Sequence, residues 1–202
     1  MPIRPEREYR TFNMSQMEFR AADDESYTVS GYATTWDDPY VMREWDGIQY
    51  KEQIDRNALN GADISDVIFL YNHEGMVYAR QSNGTLHLSQ DDHGLYIEAD
   101  LSKTAAAREM YESIKAGLVT QMSWAFTVIE DSYNEQTRVR SILRVGKVYD
   151  VSAVSIPANP DTELSARSYF DGVIEEERRR DLERREWIER MRKKLNKEEV
   201  SE

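Results

Sequence analysis

The chain contains no cysteine. That excludes disulfides and thiolate metal sites. It fits a reducing cytosol, although a cysteine-free chain is compatible with any compartment. Long apolar runs are also lacking. No segment approaches the roughly 20 apolar residues that a membrane span requires. The opening "MPIRPEREYRTF" has nothing that would serve as a signal peptide. The chain therefore reads as soluble and non-secreted. Basic charge is short as well. Lys and Arg total 26 against 38 Asp and Glu, a net charge of −12 and a pI near 4.8. A nucleic-acid binder that works by neutralising phosphates is thereby disfavoured. A glycine-rich phosphate loop, a G-x-S-x-G nucleophile elbow and a zincin helix motif are all missing.

What is present suits one domain with an appendage. There are 202 residues, 40% hydrophobic and 32% charged. Residues 1–24 are polar with scattered aromatics and read as a loose N-terminal extension, with one strand near Met17–Arg20. "YTVSGYATTW" (27–36) reads as a strand with a bulge or close approach at Gly31. Residues 37–54 read as a loop and a short strand, and "VIFLYN" (67–72) as a buried strand. "TLHLSQ", "DDHG" and "LYIEADLS" read as strand, turn and strand over 85–102. The period then changes. Thr104 is a candidate N-cap, Ala107, Met110, Tyr111 and Ile114 share a face, and Gly117 stands where a helix stops. Strand patterns return at 121–129, 139–145 and 147–156, closed by "PANPDTE".

From Asp171 the composition shifts. Residues 175–199 hold 9 acidic and 10 basic side chains, several at i,i+4 with the acid first, such as Glu175–Arg179 and Glu189–Lys193. Such pairs are worth roughly 0.2–0.5 kcal/mol each and support a solvated helix. A short stripe of Trp187, Ile188, Met191 and Leu195 offers a weak partner contact. Without this stretch the rest of the chain carries −13, so the acidity belongs to the domain. The expected fold is α+β, mainly antiparallel β. It is a small barrel or sandwich over residues 25–168 with a packed helix, followed by a charged helical tail at 169–202.

Three residues stand out for chemistry. His73 in "LYNHEG" lies at the end of an apolar strand beside Gly75, where it can reach a cleft. Histidine is the usual general base near neutral pH, and a plain turn histidine is the alternative. Ser123 in "QMSWAFTV" lies on a small polar face with Gln121, Ala125 and Thr127, opposite the bulky Met122, Trp124, Phe126 and Val128. A nucleophile needs an accessible hydroxyl and room for an acyl group, and a half-exposed structural strand shows the same pattern. Asp150 in "KVYDVSAVSI" shares a face with Val148, Ser152, Val154 and Ile156. A carboxylate there must be paired, either functionally or with an arginine such as Arg80, Arg144 or Arg167. His73, Glu74, His87, Asp91, Asp92 and His93 are metal-ligand types, but their spacing fits no zinc site, and 91–94 looks like a hairpin turn.

Six stretches in order resemble the prohead (capsid maturation) serine proteases of tailed bacteriophages, relatives of the herpesvirus assemblins. They are "VSGYATTWDD", "YKEQIDRNAL", "VIFLYNHEGMVYAR", "DDHGLYIEADLSKT", "IKAGLVTQMSWAF" and "VYDVSAVSIPANPDTELSAR", together covering roughly residues 25–168. The resemblance implies a serine endopeptidase with His73, Ser123 and Asp150 as catalytic residues and no metal or cofactor. Two positions depart from the family pattern. Ala125 stands where the family usually has glycine, and Asp150 where it often has glutamate. The shorter acid requires its strand to lie closer to His73. The implied substrates are scaffold, or the scaffolding segment of the major capsid protein, and the protease itself. The implied setting is the assembling procapsid in the host cytoplasm, with no nucleic-acid or membrane partner and a possible homo-oligomer. A catalytically inactive assembly or scaffold-binding factor of the same fold is the alternative. With the peptidase reading the charged tail is expected to bind scaffold and carry the protein into procapsids; with the assembly-factor reading it helps to hold capsid subunits.

Overall fold

In the computed structural model, the described residues are 7–13, 27–155 and 164–199. The expected strand at Met17–Arg20 and the "PANPDTE" turn lie outside them. The chain divides into two compact units, residues 1–165 and 166–202. The first holds ten described strands: β1 (Arg7–Asn13), β2 (Thr28–Thr35), β3 (Tyr40–Trp45), β4 (Ile48–Ile54), β5 (Ile68–Tyr71), β6 (Glu74–Arg80), β7 (Leu86–Gln90), β8 (Gly94–Asp100), β9 (Gln121–Asn134) and β10 (Val139–Val154). Helix α1 (Ala105–Lys115) lies between β8 and β9. Helix α2 (Leu164–Glu199) makes up most of the second unit.

The larger sheet runs β1-β9-β10-β4-β3, with β5 on β10 and β6 on β5. The smaller one is β2-β8-β7. Neither closes, so of the two expected architectures the sandwich forms and the barrel does not. One core joins them, with Val29, Ala33, Leu86, Leu95 and Ile97 from the small sheet and Met122, Trp124, Phe126, Val148 and Val151 from the large one. The bulky face of 121–128 is core, as its alternation requires.

The central ladder is the β9–β10 hairpin. Residues 147–156 and 139–145 read as separate strands in sequence, yet β10 runs through Gly146 without a break. The interruption is a bulge. Register shifts fall at Arg144/Val145 and Val145/Lys147, and a methyl group on Gly146 would meet Ile129 Cγ2 at 3.0 Å. The outer edge of β10 is shared between two parallel partners. Val139–Ile142 pair with β4, and Asp150–Ala153 pair with β5. In the small sheet the irregularity falls between Tyr32 and Thr34 rather than at Gly31. The glycine it requires is across the ladder. A Cβ on Gly94 would lie 2.1 Å from the Thr34 carbonyl oxygen, which is backbone and cannot step aside.

Helix α1 follows its sequence signals. The Thr104 side chain accepts from the Ala107 N–H at 3.0 Å, and Ala107, Met110 and Tyr111 are buried. Gly117 has φ +71° just past the helix end, a left-handed conformation that glycine adopts without strain. On α2, Glu189 and Lys193 pair at 2.8 Å, while Arg179 meets Glu176 at 3.6 Å. Leu182, Trp187 and Met191 are exposed. No helix among the described residues is long and apolar enough to cross a membrane.

Candidate active site

The geometry around His73 begins with a tight turn. β5 and β6 are joined by only Asn72 and His73, with Tyr71 paired to Glu74. Both turn residues have positive φ, 50° and 61°, the backbone shape that matches a two-residue hairpin to strand twist. The sequence reading had the chain leaving the strand at His73. It instead reverses at once into β6. The Asn72 N–H donates to the Ala153 carbonyl at 3.0 Å, and Asn72 Oδ1 accepts from the Ser155 N–H at 3.2 Å. These bonds fix the turn to the end of β10 and set the direction of the imidazole.

His73 Nδ1 lies 2.6 Å from Asp150 Oδ1. The parallel pairing of Asp150 with Ile68 makes this reach possible for an aspartate. The arginine alternatives are otherwise engaged where they are described. Arg80 binds Asp66, and Arg144 binds Glu130. Asp150 is 1% exposed, and its Oδ1 also accepts from the Ser152 hydroxyl at 2.7 Å. A carboxylate so deeply buried needs such donors.

Cross-strand register places Ser123 next to this pair. Asp150 lies opposite Ala125, and Ser152 lies opposite Ser123. On the far side of β9, Tyr9 is opposite Ala125 and Thr11 is opposite Ser123. Directly opposed residues share a face. Two adjacent rows result: Tyr9–Ala125–Asp150 and Thr11–Ser123–Ser152. The His73 ring touches both ends of the first row, bonding Asp150 and packing edge-to-face on Tyr9 with centroids 4.7 Å apart. The small side chain of Ala125 leaves room for the imidazole between them.

Ser123 differs from the sequence expectation in one respect. It is 1% exposed rather than half-exposed. Its Oγ is buried with no hydrogen-bond partner among the described residues. Such a group is costly, about 1–3 kcal/mol, and among the described residues Tyr111 Oη, Gln121 Oε1 and Trp124 Nε1 share that state.

Residues 14–172, most of the chain, match the family model of the caudovirus prohead serine proteases. The chain belongs to that family. Its members are serine peptidases of phage capsid maturation, and the match covers His73, Ser123 and Asp150. Neither a curated protein nor a solved structure matches the chain. The family description places its members at the prohead. Strand β1 precedes the matched region, yet it pairs along β9 through Ser123.

Sequence reasoning missed two contributors. Residues 7–13 were read as part of a loose extension, and they supply Tyr9. The pattern "REYRTFN" gave little warning, because Glu8 and Arg10 charge one face beside Phe12, and Arg7, Tyr9, Thr11 and Asn13 make a mixed face opposite. Ser152 is placed by the sequence on the Asp150 face, as the i, i+2 spacing requires, but without a role. Of the residues weighed as metal ligands, Asp91 holds the 91–94 hairpin. Asp91 Oδ1 accepts from the His93 and Gly94 N–H groups at 2.8 and 2.9 Å.

Proposed function

We propose that the chain is a Ser-His-Asp endopeptidase that cuts scaffold, or the scaffolding segment of the major capsid protein, and itself. The observation that carries this reading is the His73–Asp150 bond at 2.6 Å, set one row from Ser123 in a serine peptidase family. Asp150 accepts the Nδ1 proton, which leaves Nε2 of His73 as the basic nitrogen. Nε2 takes the proton from Ser123 Oγ as that oxygen attacks the scissile carbonyl. The tetrahedral oxyanion collapses to an acyl-enzyme, and the imidazolium returns the proton to the leaving amine. Water, deprotonated by the same nitrogen, then releases the acid and restores Ser123. Asp150 stabilises the imidazolium in both halves without itself becoming protonated.

The buried, unpartnered Ser123 hydroxyl supports a protein that needs a change at β9 before peptide enters. Assembly is the natural occasion for that change. The charged segment from residue 169 onward supplies an attachment to scaffold that self-cleavage later removes. A chain truncated before it should keep peptidase activity and fail to enter procapsids.

The test is co-expression of the chain with its capsid protein, as wild type and as Ser123→Ala, followed by intact masses of both. Truncation of capsid protein or protease in wild type alone establishes a Ser123-dependent peptidase. Truncation in both assigns the cut to a host enzyme. Full-length masses in both, with capsids still forming, favour an inactive assembly factor.

A further inference from the structure

Asp150 Oδ1 accepts two hydrogen bonds, from His73 Nδ1 at 2.6 Å and from Ser152 Oγ at 2.7 Å. Ser152 is fully buried at 0% exposure. It lies opposite Ser123 on one side and Leu70 of β5 on the other. A single residue therefore touches the acid and flanks the serine. We propose that Ser152 is a positioning residue of the peptidase, holding the Asp150 carboxylate in the one orientation that directs His73 toward Ser123. This inference rests on the Ser-His-Asp reading above.

The physical basis is rotational. An aspartate held by one bond keeps freedom about its Cβ–Cγ axis and can offer either oxygen. A second donor fixed to the same strand, two residues along, removes that freedom. The donor comes from a segment of β10 that is paired on both sides. Bonds to an ionised oxygen are the strong kind, and they are stronger still away from water. An acid pinned this way fixes both the tautomer and the plane of the imidazole, and misplacement there is costly to rate.

The hydroxyl can be isolated by comparing Ser152→Thr, which keeps it, with Ser152→Val, which has the same shape without it. Ser152→Ala removes it with no added bulk and covers the case in which either branched variant fails to fold. The probe is a fluorophosphonate, which phosphonylates an activated serine as fluoride leaves, read by intact mass and peptide mapping. It is applied to the full chain, purified and co-expressed with capsid protein. In the Val and Ala variants the maximal labelling rate at Ser123 should fall by about 10- to 100-fold with the half-saturating probe concentration unchanged. The Thr variant should restore the rate. Equal rates with and without the hydroxyl would overturn the inference, as would a loss confined to probe binding. Those outcomes leave the underlying reading intact, because wild type is still labelled at Ser123. A folded wild type that is unlabelled at Ser123 in both settings sinks that reading and this inference with it.

Discussion

The β9–β10 ladder carries a polar cluster on each of its faces. On the face of Trp124 and Phe126, Arg10 and Arg140 share Glu8 and Glu52. Arg10 binds Glu52 through two nitrogens and also meets Glu8. Arg140 reaches Glu8 at 3.1 Å, Glu52 at 3.0 Å and also Asp131. Tyr40 donates to Glu52 at 2.6 Å. All four shared charges are nearly or fully buried, and each has a partner. On the opposite face, His73 and Ser152 both bond Asp150 while Ser123 has no partner among the described residues. Two bases and two acids balance in the first cluster, and it binds β1, β4 and β10 into one unit. The second cluster keeps one donor unspent. Every charge of the first network is paired, as buried charges require, whereas the lone Ser123 hydroxyl calls for an explanation, which the proposed role as nucleophile supplies.

The sharpest way to separate the two is to remove one member of each. Ser123→Ala should abolish cleavage, a loss of about 10⁴-fold or more. It should leave stability unchanged or raise it by about 1 kcal/mol, because it deletes a buried hydroxyl with no bond to lose. Activity measured beside a urea melt checks both halves. A variant that retained cleavage, or one that melted well below wild type, would contradict the division drawn here.

Glu52→Gln should do the reverse. It removes a charge that both buried guanidinium groups use, and breaking such a pair costs about 3–5 kcal/mol. Chemical denaturation should show a lower midpoint with the slope unchanged. His73 and Ser123 lie on the other face, so the residual folded fraction should keep its activity per molecule.

Acid probes the first cluster without mutation. Burial alone would raise the Glu8 carboxyl, but Arg10 and Arg140 outweigh it and hold the group below its ordinary 4.5. A carboxylate depressed in the folded state adds stability that is present above the ordinary value. That contribution is lost as pH falls through the folded value, because the unfolded chain binds the proton first. Thermal midpoints should therefore drop as pH is lowered from about 5 toward 3. In Glu8→Gln, whose stability at neutral pH is already reduced, that slope should be shallower. An equal slope in both proteins would remove Glu8 from the account.

The same contrast explains what was legible in the sequence. Positions fixed by local chemistry could be read directly. Thr104 and Gly117 mark the helix ends, and the alternation at 121–128 gives a core face and a small face. His73, Ser123 and Asp150 were picked out by their local settings and by family resemblance. Partnerships were not legible. Nothing near Arg10 says that Glu52 and Arg140, remote in sequence, will surround it, so a charged heptapeptide looked like a tail rather than a strand. The bulge expected at Gly31 falls one residue on, between Tyr32 and Thr34, and Gly94 on the neighbouring strand makes a close approach that its own sequence context does not announce. The sequence puts a turn beside His73, but its two-residue form and strand β6 after it were not legible, for a related reason. Asn72 and His73 adopt positive φ without glycine, supported by contacts to β10 that only the assembled sheet supplies.

The smallest expected effect tests whether burial, rather than the arginine–glutamate chemistry, makes the first cluster structural. Arg144 and Glu130 are also neighbours across the β9–β10 ladder, at 3.2 Å, but their side chains are 58% and 50% exposed. Water already solvates both groups, so the pair gains little and pays side-chain entropy to form. A double-mutant cycle with Arg144→Ala and Glu130→Ala should give a coupling below about 1 kcal/mol, falling further in high salt. The equivalent cycle on Arg10 and Glu52 should give several times as much and respond weakly to salt. If the two couplings came out equal, position in the ladder rather than removal from water would set the strength of these pairs, and the structural cluster would lose its distinction from an ordinary surface contact.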